Sequence, residues 1–238
     1  MKIALIGYGK MGKEIEKIAT DRKHEICLKI DTDEDWKNSG HLLKDADVAI
    51  EFSMPVCVLD NIKKCFEADV PVVVGTTGWH NQIESVKEEC LKKNHSLMYG
   101  SNFSIGVNIF FEINRRLAKL MNEYADYKVS IEEIHHTTKL DAPSGTAISL
   151  ANDIMKLLER KEKWVNTNSD KSKELEIISK RIENVPGTHI ITYDSDVDTI
   201  EIKHTVKSRK GLAVGAVLAA EWLAGKKGFF EVRDFLNI

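Results

Sequence analysis

No stretch of this chain is apolar for long enough to cross a bilayer. Its longest weakly polar run, 212–220, is followed at once by Glu221, well short of the roughly 20 residues that a spanning helix needs. Charge of one sign is equally scarce: 34 Lys and Arg face 37 acidic residues, for a formal charge of -3. That balance removes the long-range attraction on which nonspecific binding to nucleic acid or a membrane surface depends, so a small anionic ligand must be met by local positive groups. Cysteine is sparse. Cys27, Cys57, Cys65 and Cys90 form no CxxC pair and have no histidine-rich neighbourhood, which argues against a zinc site or a redox dithiol and for reduced, buried thiols. There are no internal repeats or low-complexity tracts. Residues 1–12 begin apolar but run into a glycine turn with Lys10 and Lys13, a pattern unlike a secretory signal. The expected location is the cytoplasm, with no metal, nucleic acid or membrane as partner.

What is present is a chain of 238 residues, 42% of them hydrophobic, enough for one large domain or two modest ones. Short apolar runs at 2–6, 25–31, 48–52, 70–74 and 96–99 alternate with helical patterns after Gly12 and over 56–67 and 82–93. Strand and helix in alternation predict a parallel sheet with helices on its faces. After Asn102 the rhythm changes. Residues 105–124 form one long helical pattern and 128–134 alternate with period two; 147–158 read as a helix, and 174–182, 189–193 and 199–206 as strands of a mostly antiparallel sheet. The charged stretch 159–172 reads as a surface excursion. The tail, helical over 211–225 and apolar again at Phe229, Phe230, Val232 and Phe235, is expected to return to the first domain. The expected fold is therefore α/β: a Rossmann-type parallel-sheet nucleotide domain (1–104 and 208–238) plus an α+β substrate-binding and oligomerisation domain (105–207).

Gly7, Gly9 and Gly12 form GxGxxG between a predicted strand and a predicted helix. Small residues there let backbone N–H groups approach a pyrophosphate, and the helix dipole favours the same anion. Alone, the motif describes any tight turn that needs glycine; its context favours a dinucleotide. Asp31 closes the second strand 19 residues after Gly12, where a carboxylate can accept both ribose hydroxyls, although it could also be a turn residue in the acidic loop 31–35. Gly75, Thr76, Thr77 and Gly78 follow the strand at 72–74, so they should sit at the carboxyl edge of the sheet, beside the cofactor or as plain turn chemistry. The acidic residues at 31 and 33–35 disfavour a 2′-phosphate, whereas Lys10 and Lys13 could offset part of that repulsion. The expectation is NADH or NADPH, with a slight lean to NADH.

The segment 132–147, EEIHHTTKLDAPSGTA, concentrates acid–base and anion-binding groups in one bend. A strand ending in two histidines is followed by a lysine and then by Ser144, a good N-cap, with free N–H groups around Gly145 and Thr146 that could receive a carboxylate. Histidine can donate a proton near neutral pH, and lysine can neutralise a carboxylate or act as an acid. Together they suit reduction of an anionic, imine-like acceptor. The bland alternative, a capped helix with two incidental histidines, accounts poorly for the whole cluster. His189 and His204 could face the substrate or pair with core polar groups, and neither is expected to be the proton donor.

These residues resemble the dihydrodipicolinate reductase family. The order IGYGKMG, Glu51-Phe52-Ser53, GTTG at 75–78, SNFSIGVN at 101–108, HHTTKLDAPSGTA at 135–147 and SRKGLAVGA at 208–216 spans essentially the whole chain, and the histidine–lysine–DAPSGT segment is its specific part. The resemblance implies a homotetramer that reduces 4-hydroxy-tetrahydrodipicolinate to tetrahydrodipicolinate with loss of water, in lysine and diaminopimelate biosynthesis. By matching positions it implies His135 as the acid–base residue with Lys139 as proton donor beside it, and His136, Lys139, Ser144, Gly145 and Thr146 on the substrate carboxylates. It implies Gly7, Tyr8, Gly9, Lys10, Met11, Gly12, Asp31, Gly75, Thr76, Thr77, Gly100, Ser101, Asn102 and Phe103 around the cofactor. Thr137 and Thr138 stand where the family often carries a further histidine or basic residue, which implies lower charge near the substrate, and Glu183 stands where the family commonly has glycine, which implies a different local backbone there. Two competing readings are another small Rossmann reductase, such as an aspartate dehydrogenase-like enzyme, and a silent NAD(P)-binding sensor. The DAPSGT helix start argues against the first, and the presence of both His135 and Lys139 against the second.

Overall fold

The computed structural model describes all residues except Arg209, which lies within the 208–216 run. The chain divides into two compact units, one made of Met1–Ile105 with Lys210–Ile238 and the other of Gly106–Arg209. In chain order the elements are β1 (Lys2–Ile6), α1 (Lys10–Asp21), β2 (Glu25–Ile30), α2 (Asp33–Ser39), β3 (Val48–Glu51), α3 (Val58–Glu67), β4 (Val72–Val74), α4 (Ile83–Lys92), β5 (Ser96–Tyr99), α5 (Ile105–Met121), β6 (Lys128–His135), α6 (Gly145–Leu157), β7 (Lys163–Val165), β8 (Glu174–Arg181), β9 (Thr188–Asp194), β10 (Thr199–Thr205), α7 (Lys210–Leu223), β11 (Gly228–Glu231) and α8 (Val232–Leu236).

The first unit is a six-stranded sheet in the order β11-β5-β4-β3-β1-β2, and every pairing is parallel. Parallel strands covered on both faces read as unbroken apolar runs, as Val72–Val74 does. Successive side chains go to opposite faces: Ile3 and Leu5 pack with Ile15, Ala19, Ala213, Val217 and Leu223 of α1 and α7, while Ala4 and Ile6 pack with Val58, Ile62 and Phe66 of α3. The strand order reverses between β1 and β3, so the loops after these two strands part there and open a crevice at the carboxyl edge. The turn after β1 must pass close beneath β3. A Cβ on Gly7 would lie 2.1 Å from the Phe52 carbonyl oxygen, and its φ of +92 is one that glycine adopts without strain.

Residues 31–35 are not an open loop. Thr32 caps α2, accepting from the Asp35 amide at 3.2 Å, and the Asp35 carboxylate accepts in return from the Thr32 amide at 2.8 Å, a reciprocal arrangement that satisfies helix-end donors. In the tail, Phe229 and Phe230 belong to the edge strand β11, paired with β5.

The second unit has five strands in the order β10-β9-β6-β8-β7. The pairs β10–β9 and β6–β9 are antiparallel, whereas β6–β8 and β7–β8 are parallel, so the sheet is mixed. The cause is α6, which carries the chain across from β6 and lets β8 run in the same direction. Part of the charged stretch 159–172 is itself the short strand β7. Phe110, Ala118 and Met121 of α5 and Leu150 and Ile154 of α6 pack with Val129, Ile131, Leu175, Ile177 and Tyr193 of the sheet. The buried Asn114 amide donates to the Leu150 carbonyl at 3.2 Å and ties the two helices together.

Candidate active site

The period-two alternation of β6 sends Val129, Ile131, Glu133 and His135 to the buried side, so a carboxylate and an imidazole continue a row that begins with aliphatic core residues. Strand register brings their partners. Glu133 stands opposite His189 of β9 and Ser179 of β8, and His135 stands opposite Arg181. Withdrawing a carboxylate from water costs several kcal/mol unless it is paired and hydrogen-bonded, and Glu133, with 0% exposure, accepts a hydrogen bond on Oε1 while Oε2 lies near two histidines without one. Arg181 Nη2 donates to Oε1 at 3.1 Å. Oε2 lies 3.0 Å from His135 Nδ1 and 4.0 Å from His189 Nε2. Burial alone would push the Glu133 carboxyl up, but the Ser144 and Ser179 hydroxyls, Arg181 and His135 outweigh it and hold the group below the ordinary range. Burial pulls His135 down; Glu133 opposes that pull, while Lys139 and Arg181 reinforce it. His189 is pulled down to about 4, first by burial and then by His135. Its ring stands edge-on to that of His135, with centroids 5.2 Å apart.

The bend between β6 and α6 supplies the remaining groups. The Lys139 ammonium pairs with Asp141 at 2.7 and 2.9 Å, and His136 Nδ1 meets Thr138 Oγ1 at 2.7 Å. Arg181 also holds the bend itself, donating to the Asp141 carbonyl at 2.6 Å. Ser144 caps α6, accepting from the Ala147 amide at 3.2 Å, and its hydroxyl reaches His189 Nε2 at 3.1 Å. Beside it the backbone at Gly145 is open, since an added Cβ would meet nothing within 4 Å. His135, Ser144 and the bend carrying Lys139 are thus tied together through Glu133, His189 and Arg181, while His136 faces Thr138. Lys139, close enough to His135 for its charge to lower that histidine, is also paired with a carboxylate two residues away.

Sequence reasoning passed over Glu133, Arg181 and Gly187. A Cβ on Gly187 would sit 3.1 Å from His135 Nε2, so glycine leaves space beside that nitrogen. Donor atoms of Glu133, His135 and His189 lie within 4.8 Å of one another, near enough for a divalent cation. The Arg181 guanidinium already balances this carboxylate, however, and its charge disfavours a second cation at the same group.

In the first unit, Gly7, Gly9, Ile30, Asp31, Asp33 and Phe52 are among the residues around a cleft of about 660 Å³. A smaller cavity of about 230 Å³ touches Met11, Gly75, Thr76 and Thr77. An added Cβ on Gly9 would meet nothing within 4 Å, and Gly9 opens α1 without a side-chain cap. The cradle therefore fits a pyrophosphate, with room above the glycine and amides at the helix start to receive the anion. Asp31 lines the cleft and accepts from the Tyr8 amide at 2.8 Å. Tyr8, Lys10, Gly12, Gly100, Ser101, Asn102 and Phe103 are not among the residues lining either cavity. The Phe103 side chain is buried in the core, tilted against Phe52 with centroids 5.9 Å apart. Thr76 braces the wall, its hydroxyl accepting from the Ser53 amide at 2.8 Å.

Two family models match the chain end to end: Dihydrodipicolinate reductase, N-terminus over residues 1–103, and Dihydrodipicolinate reductase, C-terminus over residues 106–236. A curated 4-hydroxy-tetrahydrodipicolinate reductase from Christiangramia forsetii is 49% identical over 100% of this chain and 98% of its own length. One of the same name from Thermosipho africanus is 33% identical over the same shares. Among solved structures, a dipicolinate-bound dihydrodipicolinate reductase from Paenisporosarcina sp. TG-14 shares the fold at a TM-score of 0.77, with 20% identity over 97% of both chains.

Proposed function

The chain belongs to the dihydrodipicolinate reductase family, and from that premise we propose how its residues reduce 4-hydroxy-tetrahydrodipicolinate to tetrahydrodipicolinate. The reaction consumes one NAD(P)H and one proton and releases one water. The reduced nicotinamide supplies the hydride. Gly7, Gly9 and Gly12 with the start of α1 hold the pyrophosphate, and Asp31 takes the adenosine ribose. His135 is the acid–base residue: it delivers a proton as the hydroxyl departs as water and the ring is reduced. Lys139 exchanges Asp141 for a substrate carboxylate, and the second carboxylate is received by Ser144 and the amides of Gly145 and Thr146, with His136 beside them. The single observation that carries this reading is the buried His135 at the end of β6, held against a buried carboxylate and followed by a capped helix start.

We also propose a lean towards NADH. Asp31 and Asp33 line the cleft, while no lysine or arginine does so among the described residues. A cytoplasmic homotetramer completes the proposal, supported by the half-exposed Ile134, Ile178 and Ile190 on the other face of the second sheet. The test is an assay with freshly generated substrate, run with each cofactor. His135→Gln should lower kcat by about 100- to 10,000-fold with a smaller effect on KM, because a proton donor acts chiefly in the transition state. Lys139→Ala should damage both. Wild-type turnover in His135→Gln would remove that residue from the mechanism.

A further inference from the structure

Glu133 has no part in the reaction as set out so far, yet it occupies a place on β6 that alternation assigns to an apolar side chain, in line with Val129 and Ile131. Its two oxygens do different things. Oε1 accepts from Arg181 Nη2 at 3.1 Å, while Oε2 lies 3.0 Å from His135 Nδ1; both of these atoms are buried without a hydrogen bond, so each is the partner the other has within reach. His189, the other base near Oε2, stands farther away at 4.0 Å and is engaged by the Ser144 hydroxyl. The opposite end of the His135 ring has been left room, since glycine stands at 187 where a Cβ would come within 3.1 Å of Nε2.

We infer that Glu133 is a positioning residue for His135: it keeps the proton on Nδ1, so that Nε2 is the nitrogen that exchanges a proton with the substrate. In the step itself the Nε2–H bond breaks as the proton passes to the substrate, while Nδ1–H stays in place against Oε2. The carboxylate also steadies the imidazolium before transfer, offsetting the burial and the neighbouring cations that disfavour it. The inference rests on the reading of His135 as the acid–base residue. Arg181 acts one step further out, because a carboxylate free to rotate would share Oε2 between two histidines.

The test begins with the unmodified protein. Imidazole ¹⁵N shifts of His135, assigned by their loss in His135→Gln, should show the Nδ1–H tautomer once the ring is neutral; an Nε2–H tautomer overturns the inference without any variant at position 133. In Glu133→Gln, Arg181 should hold the amide oxygen and turn the NH2 towards Nδ1, inverting the tautomer. Turnover should then fall by about 100- to 10,000-fold with KM within about threefold, and the alkaline limb of the kcat/KM profile, where the proton donor is lost, should move to lower pH. Glu133→Asp should restore the Nδ1–H tautomer and part of kcat. A Glu133→Gln protein that is less stable but keeps the wild-type tautomer and pH profile shows a structural role only, and the inference fails. If His135→Gln retains turnover, the underlying mechanism has failed; if His135→Gln is inactive while Glu133→Gln works and titrates normally, only the positioning role has.

Discussion

At the scale of single residues, the cluster around Glu133 makes stability depend on acid in a definite direction. Burial holds His189 down to about 4, whereas a histidine in an unfolded chain titrates near ~6.5. Between those values the unfolded chain binds a proton that the folded chain refuses. Stability is therefore full above about pH 6.5 and is lost as pH falls towards 4, by up to about 3 kcal/mol for this group. His135, also lowered by burial, acts with the same sign. Urea midpoints should drop from pH 7 to pH 5, and the drop should be smaller in His189→Leu; an equal drop in both proteins would assign the acid sensitivity elsewhere. The sequence carried more of this cluster than its motifs did. Glu133 falls in the two-residue register of Val129 and Ile131, and an acid on the apolar side of a strand is a readable signal. Arg181 and Gly187 are not readable in that way, since only the pairing of β8 with β6, and the path of the chain before β9, bring them to His135.

At the scale of elements, α7 shows two rules in competition. Alanine is favoured over glycine inside a helix by about 1 kcal/mol, so Gly215 looks like a position to improve. A Cβ there, however, would sit 1.7 Å from the Phe103 carbonyl oxygen, a backbone atom that has no flexible side chain to yield. Overpacking of this kind costs about 1–3 kcal/mol, so Gly215→Ala should lower the thermal midpoint. Gly211→Ala on the same helix, whose Cβ would stand at an ordinary 3.6 Å from Ser104 Oγ, should leave it unchanged or raise it. Equal losses in the two variants would refute the close-approach argument. Elements buried on both faces, such as β1 and β4, were legible because they are unbroken apolar runs. β7 was not, being three residues long, half-buried at the edge of the sheet and set among lysines and glutamates. α2 was hidden by its acids, which serve its cap rather than a loop, and β11 by its two phenylalanines, which read as a hydrophobic face without declaring a strand.

At the scale of the molecule, a charge of -3 gives weak long-range steering, so cofactor choice falls to the local field of the cleft. Asp60 there is neutralised by Lys64 at 2.5 Å, leaving Asp31 and Asp33 to meet a 2′-phosphate. Salt screens such repulsion over a Debye length of about 10 Å at 0.1 M. The ratio of kcat/KM for NADH over NADPH should therefore exceed one at low ionic strength and shrink as salt is added. A preference for NADPH that disappears in Lys10→Ala would show that this lysine overrides the acidic residues and that the role given to Asp31 is wrong.

The first unit is also split in time. A ribosome delivers β1 through β5 first and must then synthesise residues 106–209 before α7 and β11 exist, a delay of about 5 to 20 seconds at ordinary elongation rates. Throughout that interval Ile3, Leu5, Val48, Ile50, Val73 and Met98 lack the α7 partners that they pack against in the finished core, and the outer edge of β5 lacks the strand that pairs with it. The nascent chain thus carries a sticky, half-dressed sheet while its middle is being made, and it is during this wait that a chaperone would find most to hold.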